Sequence, residues 1–456
     1  MKEFRYVGLR RRDFLGAASA ILGGGALVRL AQAAQQPAVK HRRAIGGDAV
    51  EPDWDSGVTI TVGPEKADLV GTSEKVIQAA VDYVTGWGGG TVRVLPGVYR
   101  LRNAVFLRSR VRIVGSGPES VLVKEPSVTT RLAEDSDFYE QEITLADPSG
   151  FQIGDGVCLR AHSQRYKGQY DVFTRSLVAR SGNRFKLDRP LPGYPGYVDL
   201  WVRGEATATT LFALIHGEDL ADAAVESITL DGNKANNEFL NGNHVACVFL
   251  RGSNRVKIRD VTARNFNGDG ISWNSHDVSV EECHSHDNEA FGLHPGAGAQ
   301  RPVARANKLE RNDIGFFFCW GAQHGLVENN TISGNRRFGV SIGHKDTDNL
   351  IRHNEIRGSG EVGVLFRKEE GRAFAPSRNR LEDNRILDNG GESGIGVDVQ
   401  GETEAVSVCR NEILETRSPL KRIGVRIGPD TKDMTLLENR IEGFSLGVLD
   451  QRQRSG

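Results

Sequence analysis

His294, His344, Lys345, Arg367 and Lys368 are the side chains best suited to proton-transfer chemistry next to a negative charge. A guanidinium or ammonium group neutralises a substrate carboxylate, and an imidazole then removes the proton from the adjacent carbon. That pairing serves elimination or epimerisation at an acidic sugar, with His294 or His344 as base and Arg367, helped by Lys345 or Lys368, as neutraliser. Asp269, Asp287, Asp346 and Asp398 offer a different chemistry, because two carboxylates flanking a glycosidic bond hydrolyse it. Trp320 is a stacking surface for a sugar ring, and Asn274, Lys368, Asp398 and Gln400 are of the types that hold one in place. Several of these residues also have plain structural readings. Asp269, in Asn267-Gly268-Asp269-Gly270, suits a turn, and Asp346 can pair with His344 to shape another. The His284-x-His286-Asp287 run lacks the fixed spacing of a metal site. Asp346-x-Asp348 is too short for a calcium loop, so no cofactor is called for and calcium alone is left open.

These residues lie hundreds of ångströms of extended chain apart unless a repeat stacks them. Such a repeat is present. Glycines recur at Gly270, Gly292, Gly315, Gly339, Gly363, Gly396, Gly424 and Gly447, at intervals of 22, 23, 24, 24, 33, 28 and 23 residues. A second marker, Asn-x-Ile or Asn-x-Leu, keeps the same phase at Asn307, Asn330, Asn354, Asn384, Asn411 and Asn439. Each glycine precedes a short β-type run such as Val340-Ser341-Ile342 or Val364-Leu365-Phe366. No segment of the repeat carries the apolar stripe of a helix. A period of this size with two or three short strands predicts one coil of a right-handed parallel β-helix. The glycines are expected at corners that need a positive φ, and the asparagines in a stack that pairs their amides from coil to coil.

Alternation along the strands then sorts the candidates. With Ile271, Trp273, Leu293, Val340, Val364 and Val397 inward, Ser272, Asn274, His294, Phe317, Cys319, Ser341, Arg367, Asp398, Gln400 and Arg426 face outward. Trp320, His344, Lys345, Asp346, Lys368 and Glu369 follow just past the strand ends. Coils about 4.8 Å apart place His294 and Arg367 about 15 Å apart along the axis, on one wall bordered by Asp269 and Asp287.

The remaining sequence supplies the ends of this solenoid. Arg11-Arg12-x-Phe14-Leu15, the apolar run Gly16–Leu30 and Ala31-Gln32-Ala33 resemble a bacterial twin-arginine export signal over residues 1–33. That resemblance implies the twin-arginine machinery as a transient partner and a periplasmic or extracellular destination. Residues 34–74 read as a polar lead-in. Residues 75–124 read as an amphipathic capping helix (Val76–Val84) and a first coil. Residues 125–215 break the period and read as a small inserted β module, whose Arg160, His162, Arg165, Tyr166, Lys167 and Tyr170 suit a solvated loop. The main solenoid runs over 216–450, before a polar tail at 451–456. Lys and Arg number 58 against 59 Asp and Glu, a net charge of −1, which gives no support to a nucleic-acid partner. Five cysteines without a CxxC leave at least one unpaired, so they are expected as buried coil residues rather than a disulfide framework. Oligomeric state is left open.

The opening coil, Gly88-Gly89-Gly90-Thr91-Val92-Arg93-Val94-Leu95-Pro96-Gly97-Val98-Tyr99, resembles that of the pectate-lyase-like superfamily. So does the region from Val225 through Gly270, and the likeness covers most of residues 75–450. It implies a polysaccharide as substrate partner and a lyase, C5-epimerase or polygalacturonase-like hydrolase as activity. The superfamily also admits a non-catalytic glycan-binding or surface protein of the same fold. This chain lacks the Asp-Pro-His-Asp motif of bacterial alginate epimerases, offering His294-Pro295 instead, and lacks the Asp-Asp pair of polygalacturonases. Cations and histidines outnumber paired acids on the outward face, which favours a lyase or epimerase acting on a uronic-acid glycan.

Overall fold

The computed structural model describes residues 51–163, 170–192, 200–418 and 420–452. The twin-arginine segment, residues 34–50 of the polar lead-in, and Arg165, Tyr166 and Lys167 lie outside these described residues.

Short strands stack in parallel register into three walls of a β-helix. The first wall is built from strands at Asp269–Glu281 (its leading half), Phe291–Pro295, Ile314–Phe317, Phe338–Ile342, Val362–Phe366, Ile395–Val399, Ile423–Ile427 and Leu446–Asp450. The second contains Val303–Arg305, Leu326–Glu328 and Leu350–Arg352, and the third His284–His286, Lys308–Glu310 and Thr331–Ser333, each continuing coil by coil to the C-terminal end. One apolar core runs the length of the solenoid, with Ile271, Trp273, Leu293, Phe316, Val340, Val364, Val397 and Val425 stacked from the first wall. All five cysteines are free and buried.

The asparagines stack as their spacing predicts. Asn307 donates through Nδ2 to Oδ1 of Asn330, Asn330 to Asn354, Asn354 to Asn384, Asn384 to Asn411 and Asn411 to Asn439, at 2.9 to 3.0 Å. Each Oδ1 also accepts the backbone N–H of the asparagine one coil earlier, so the corner's buried amides are satisfied in sequence. The glycines play a different part from the one expected. Positive φ falls instead on the residue before each ladder asparagine, including Ala306, Asn329, His353 and Arg410, at φ 54 to 58°. The repeating glycines lie in the strands themselves. A Cβ on Gly339 would meet the Gly363 carbonyl oxygen at 2.6 Å and Cγ2 of Ile356 at 2.5 Å. Close approach of neighbouring coils, not corner geometry, selects glycine there.

An α-helix, Glu74–Gly86, buries Ile77, Ala80, Val81 and Val84 against the first coils. Its neighbour Val58–Gly63 already pairs in parallel with Gly90–Val94, so the solenoid sheet begins within the lead-in segment. Six antiparallel strands between Thr129 and Thr209 make the inserted module, with its own core of Leu145, Leu159, Leu177, Phe185 and Leu187. Between module and solenoid, the chain at 237–244 lies over the leading edge of the first wall. Arg160 of the module ion-pairs with Glu238 at 2.6 Å, and Ser272 Oγ donates to the Gly242 carbonyl at 2.8 Å.

Candidate functional site

The outer stripe of the first wall carries a different residue on each coil. In register it reads Ser272, His294, Phe317, Ser341, Leu365, Asp398 and Arg426. The structure places the sequence-derived candidates on or beside this stripe, and separates them into groups that differ in access.

His294 does point away from the core, but it is not in solvent. Its side chain is 1% exposed, covered by Phe291, Phe317 and the 237–244 segment. Its Nδ1 lies 2.6 Å from Oδ2 of Asp269, whose Oδ1 accepts the Phe291 backbone N–H at 3.0 Å. Burial alone would favour the neutral ring, but the Asp269 carboxylate, assisted by Cys319, outweighs it and raises the His294 pKa to about 9. A buried imidazolium locked to a carboxylate cannot act as base toward a polymer in solvent. The expectation of an exposed His294 base is therefore corrected. The cause is the 237–244 segment, which belongs to no repeat and whose path the repeat cannot reveal. Nε2 of the same ring is buried without a hydrogen-bond partner.

Asp287 is also corrected. It sits at the corner after the third-wall strand, not beside Asp269, and Arg311 grips it through two bonds of 2.9 Å. That guanidinium, with His286, lowers its pKa to about 2, so it cannot carry a proton to a leaving group. Asp398 is likewise committed, bound by Arg426 at 2.9 and 2.5 Å and by Gln400 at 2.5 Å. Asn274 is half-buried, and the absence of a side chain at Gly296 leaves room for its Oδ1, which has no hydrogen-bond partner.

The accessible chemistry gathers at the trailing edge of the first wall. Arg367 lies over the Phe317 ring, with its guanidinium carbon 4.5 Å from the ring centre, while His294 meets the same ring edge-on at 5.3 Å. The two candidates thus share a wall, divided by one phenylalanine. Arg367 donates to Ser341 Oγ at 2.8 Å and to the Phe318 carbonyl at 3.1 Å. Its other neighbours are Asp346 at 3.4 Å and Glu369 at 3.5 Å. Asp346 is fully buried, accepting the backbone N–H groups of Gly321, Ala322 and Gly343. Burial raises its pKa to about 6, against the opposing pull of Arg367 and those N–H groups. Asp346 therefore positions Arg367 rather than His344. His344 instead has Nδ1 3.5 Å from the other oxygen of Glu369, so Glu369 bridges the imidazole and the guanidinium. The His344 ring stacks on Trp320 with centroids 4.8 Å apart, and the Phe374 ring meets it at a tilt with centroids 4.6 Å apart. Trp320 is 64% exposed, Lys345 is exposed over the Phe374 ring, and Lys368, next in chain to Arg367, is also exposed.

Alternation places Phe317 on the outward stripe and Glu369 just past a strand end but assigns neither a role, and Phe374 is the member that spacing does not single out. Phe374 lies in the long 33-residue interval, where phase is lost. Among the described residues no group of three or more His, Cys, Asp or Glu gathers as a metal site. Asp348 is held by Arg378 at 2.8 to 2.9 Å, so it does not converge with Asp346 on a cation.

Residues 226–373 and 317–449 match the family model described as a right handed beta helix region. Mannuronan C5-epimerase AlgE2 of Azotobacter vinelandii is 22% identical over 330 residues, 71% of this chain; the chain spans about a quarter (24%) of that curated relative's length. The surface protein and adhesin PfbA of Streptococcus pneumoniae superposes with a TM-score of 0.50 at 12% identity, over 86% of this chain and 99% of that one. The A-module of mannuronan C-5 epimerase AlgE4 of Azotobacter vinelandii gives 0.49 at 15% identity, over 84% and 94%. The solenoid is a right-handed parallel β-helix.

Proposed function

We propose that this is an exported enzyme that acts on a uronic-acid-containing polysaccharide, as a lyase or C5-epimerase of the pectate-lyase-like superfamily. The observation that carries the reading is the pair His344 and Arg367, bridged by Glu369 and bordered by the exposed ring of Trp320. In this scheme Trp320 stacks on a sugar ring, and Arg367, with Lys345 or Lys368, neutralises the uronate carboxylate. Neutralisation makes the C5 proton more acidic, and His344 removes it. Departure of the C4 substituent gives an unsaturated lyase product, whereas return of a proton to the opposite face gives the epimer. The mannuronan epimerase likeness supports a uronate substrate. Because this chain has His294-Pro295 and no Asp-Pro-His-Asp motif, the reading stays with the uronate class rather than mannuronan itself.

Hydrolysis fits less well. Asp269, Asp287 and Asp398 are each tied to a cationic partner, and Asp346 is out of reach of solvent. None of these acids forms a free pair across a glycosidic bond. Glycan binding without turnover is the second reading, favoured by the exposure of Trp320, since an open aromatic platform serves an adhesin as well as an enzyme. Incubation with a panel of uronate polysaccharides separates these readings. Ultraviolet absorbance from an unsaturated product, or inversion at C5 seen by proton NMR, is expected. New reducing ends without that absorbance would show a hydrolase, and retention of the polymer unchanged would show a binding protein.

A further inference from the structure

A concavity of about 650 Å³ opens at the leading edge of the first wall, across the wall from His344 and Arg367. Phe239, Asn237 and Asn241 of the covering segment form one side, and Phe291, Asn267 and Asp313 form part of the other. Its charges are balanced, with Lys234, Arg336 and Arg337 against Asp269, Glu289 and Asp313. They are also already matched. Arg337 meets both oxygens of Asp313, Arg336 lies 3.8 Å and Lys234 3.5 Å from Glu289, and Asp269 holds His294. An anion placed there would find no cation free of a carboxylate.

Hydroxyl-rich, uncharged rings suit it better. Phe239, 53% exposed, offers a face for sugar C–H groups, and carboxamides and carboxylates offer the planar donor and acceptor pairs that neighbouring hydroxyls match. Asn267 supplies an independent sign of an occupant. It is 1% exposed and lines the cavity, and its Oδ1 is buried with no hydrogen-bond partner, although its Nδ2 donates to the Glu238 carbonyl. A buried carbonyl oxygen left without a donor is unfavourable, and a ligand hydroxyl donating to it would offset that cost. The pocket is also held in shape before any ligand arrives, since Lys124 Nζ fixes Asn237 Oδ1 at 2.5 Å and Leu240 N–H bonds the Asn267 carbonyl at 3.1 Å.

We infer that this pocket is a subsite for a neutral sugar residue, and hence that the polymer is a heteropolysaccharide carrying both neutral and acidic sugars. The polymer would cross the first wall, with its uronate at Arg367 and a neutral residue in the pocket. Phe291–Pro295 spans about 13 Å from end to end, a distance that a short oligosaccharide bridges. This inference rests on the uronate reading of the trailing edge, and one experiment distinguishes the two.

The full chain is titrated calorimetrically with a uronate homopolymer and with a polysaccharide alternating uronate and neutral hexose. The wild type is expected to prefer the alternating polymer. Phe239→Ala and Asn241→Ala, both at exposed positions, should each weaken that polymer about tenfold and leave the homopolymer unchanged, with identical thermal melts. Arg367→Ala should weaken both. If the alternating polymer binds both loop variants as tightly as wild type while Arg367→Ala still weakens it, the pocket assignment is wrong and the uronate site stands. Wild type that binds neither polymer would overturn both.

Discussion

The asparagine corner and the outer stripe of the first wall are built from the same coils, yet they obey opposite rules. At the corner one residue type recurs from Asn307 to Asn439, and each amide is satisfied by the next coil. On the stripe the residue changes at every coil, from Ser272 and His294 through Phe317 and Ser341 to Asp398 and Arg426. Near it, polar atoms of His294 and Asn274 lack partners. A solenoid gains stability by repetition, because each coil contacts only its neighbours. Where repetition is broken and polar groups stay unmatched, packing is not what selects the residues. That contrast marks the outer stripe of the first wall as the part of each coil that repetition does not account for.

Breaking the ladder should cost the most. Asn354 Nδ2 donates to Val327, Arg352 and Asn384, and its Oδ1 accepts from both amides of Asn330. Asn354→Ala strands several buried groups, at about 1–3 kcal/mol each, so urea unfolding should show a loss of roughly 4 kcal/mol. Turnover measured below the melting point should not change.

The buried dyad lies between the two extremes, polar but closed. The folded pKa of His294, about 9, stands above its ordinary value of 6.5. Its contribution is therefore complete below pH 6.5 and disappears as pH rises through about 9, an effect of roughly 3 kcal/mol. Wild type should lose that stability between pH 7 and 9.5 in denaturant titrations. His294→Gln should be less stable at pH 7 and show no such slope, and a slope that survives the substitution would place the titration elsewhere.

Trp320→Ala sharpens the other side of the comparison. With 64% of the residue exposed, its melting temperature should stay within a degree or two, while glycan affinity falls about tenfold, the value of one aromatic stack. A large loss of stability instead would make Trp320 part of the scaffold.

The contrast also explains what could be read in the chain. Fold was legible because the ladder asparagines and the strand glycines each mark phase, although the glycines do so through a contact distance that spacing cannot report. Outward parity of His294 and Arg367 followed from alternation. Burial of His294 did not, since it depends on residues 237–244, which follow no period. The engagement of Asp287 was in principle visible. Asp277 and Arg301, Asp287 and Arg311, and Asp313 and Arg337 are each 24 residues apart, an aspartate answered by an arginine one coil later. Reading that pattern would have assigned these acids to the scaffold at once. The pocket was not legible, because its two sides come from a non-repeating segment and from four coils.

Proton removal by His344 beside Arg367 is the central claim, and solvent exchange tests it before any product accumulates. The wild type is incubated with uronate polysaccharide in deuterium oxide, and deuterium at C5 of recovered polymer and products is measured by NMR, alongside His344→Gln and Arg367→Lys. Exchange by wild type is expected, with at least a hundredfold slower exchange by both variants and unchanged far-ultraviolet CD. Exchange at the wild-type rate in His344→Gln would contradict the central claim.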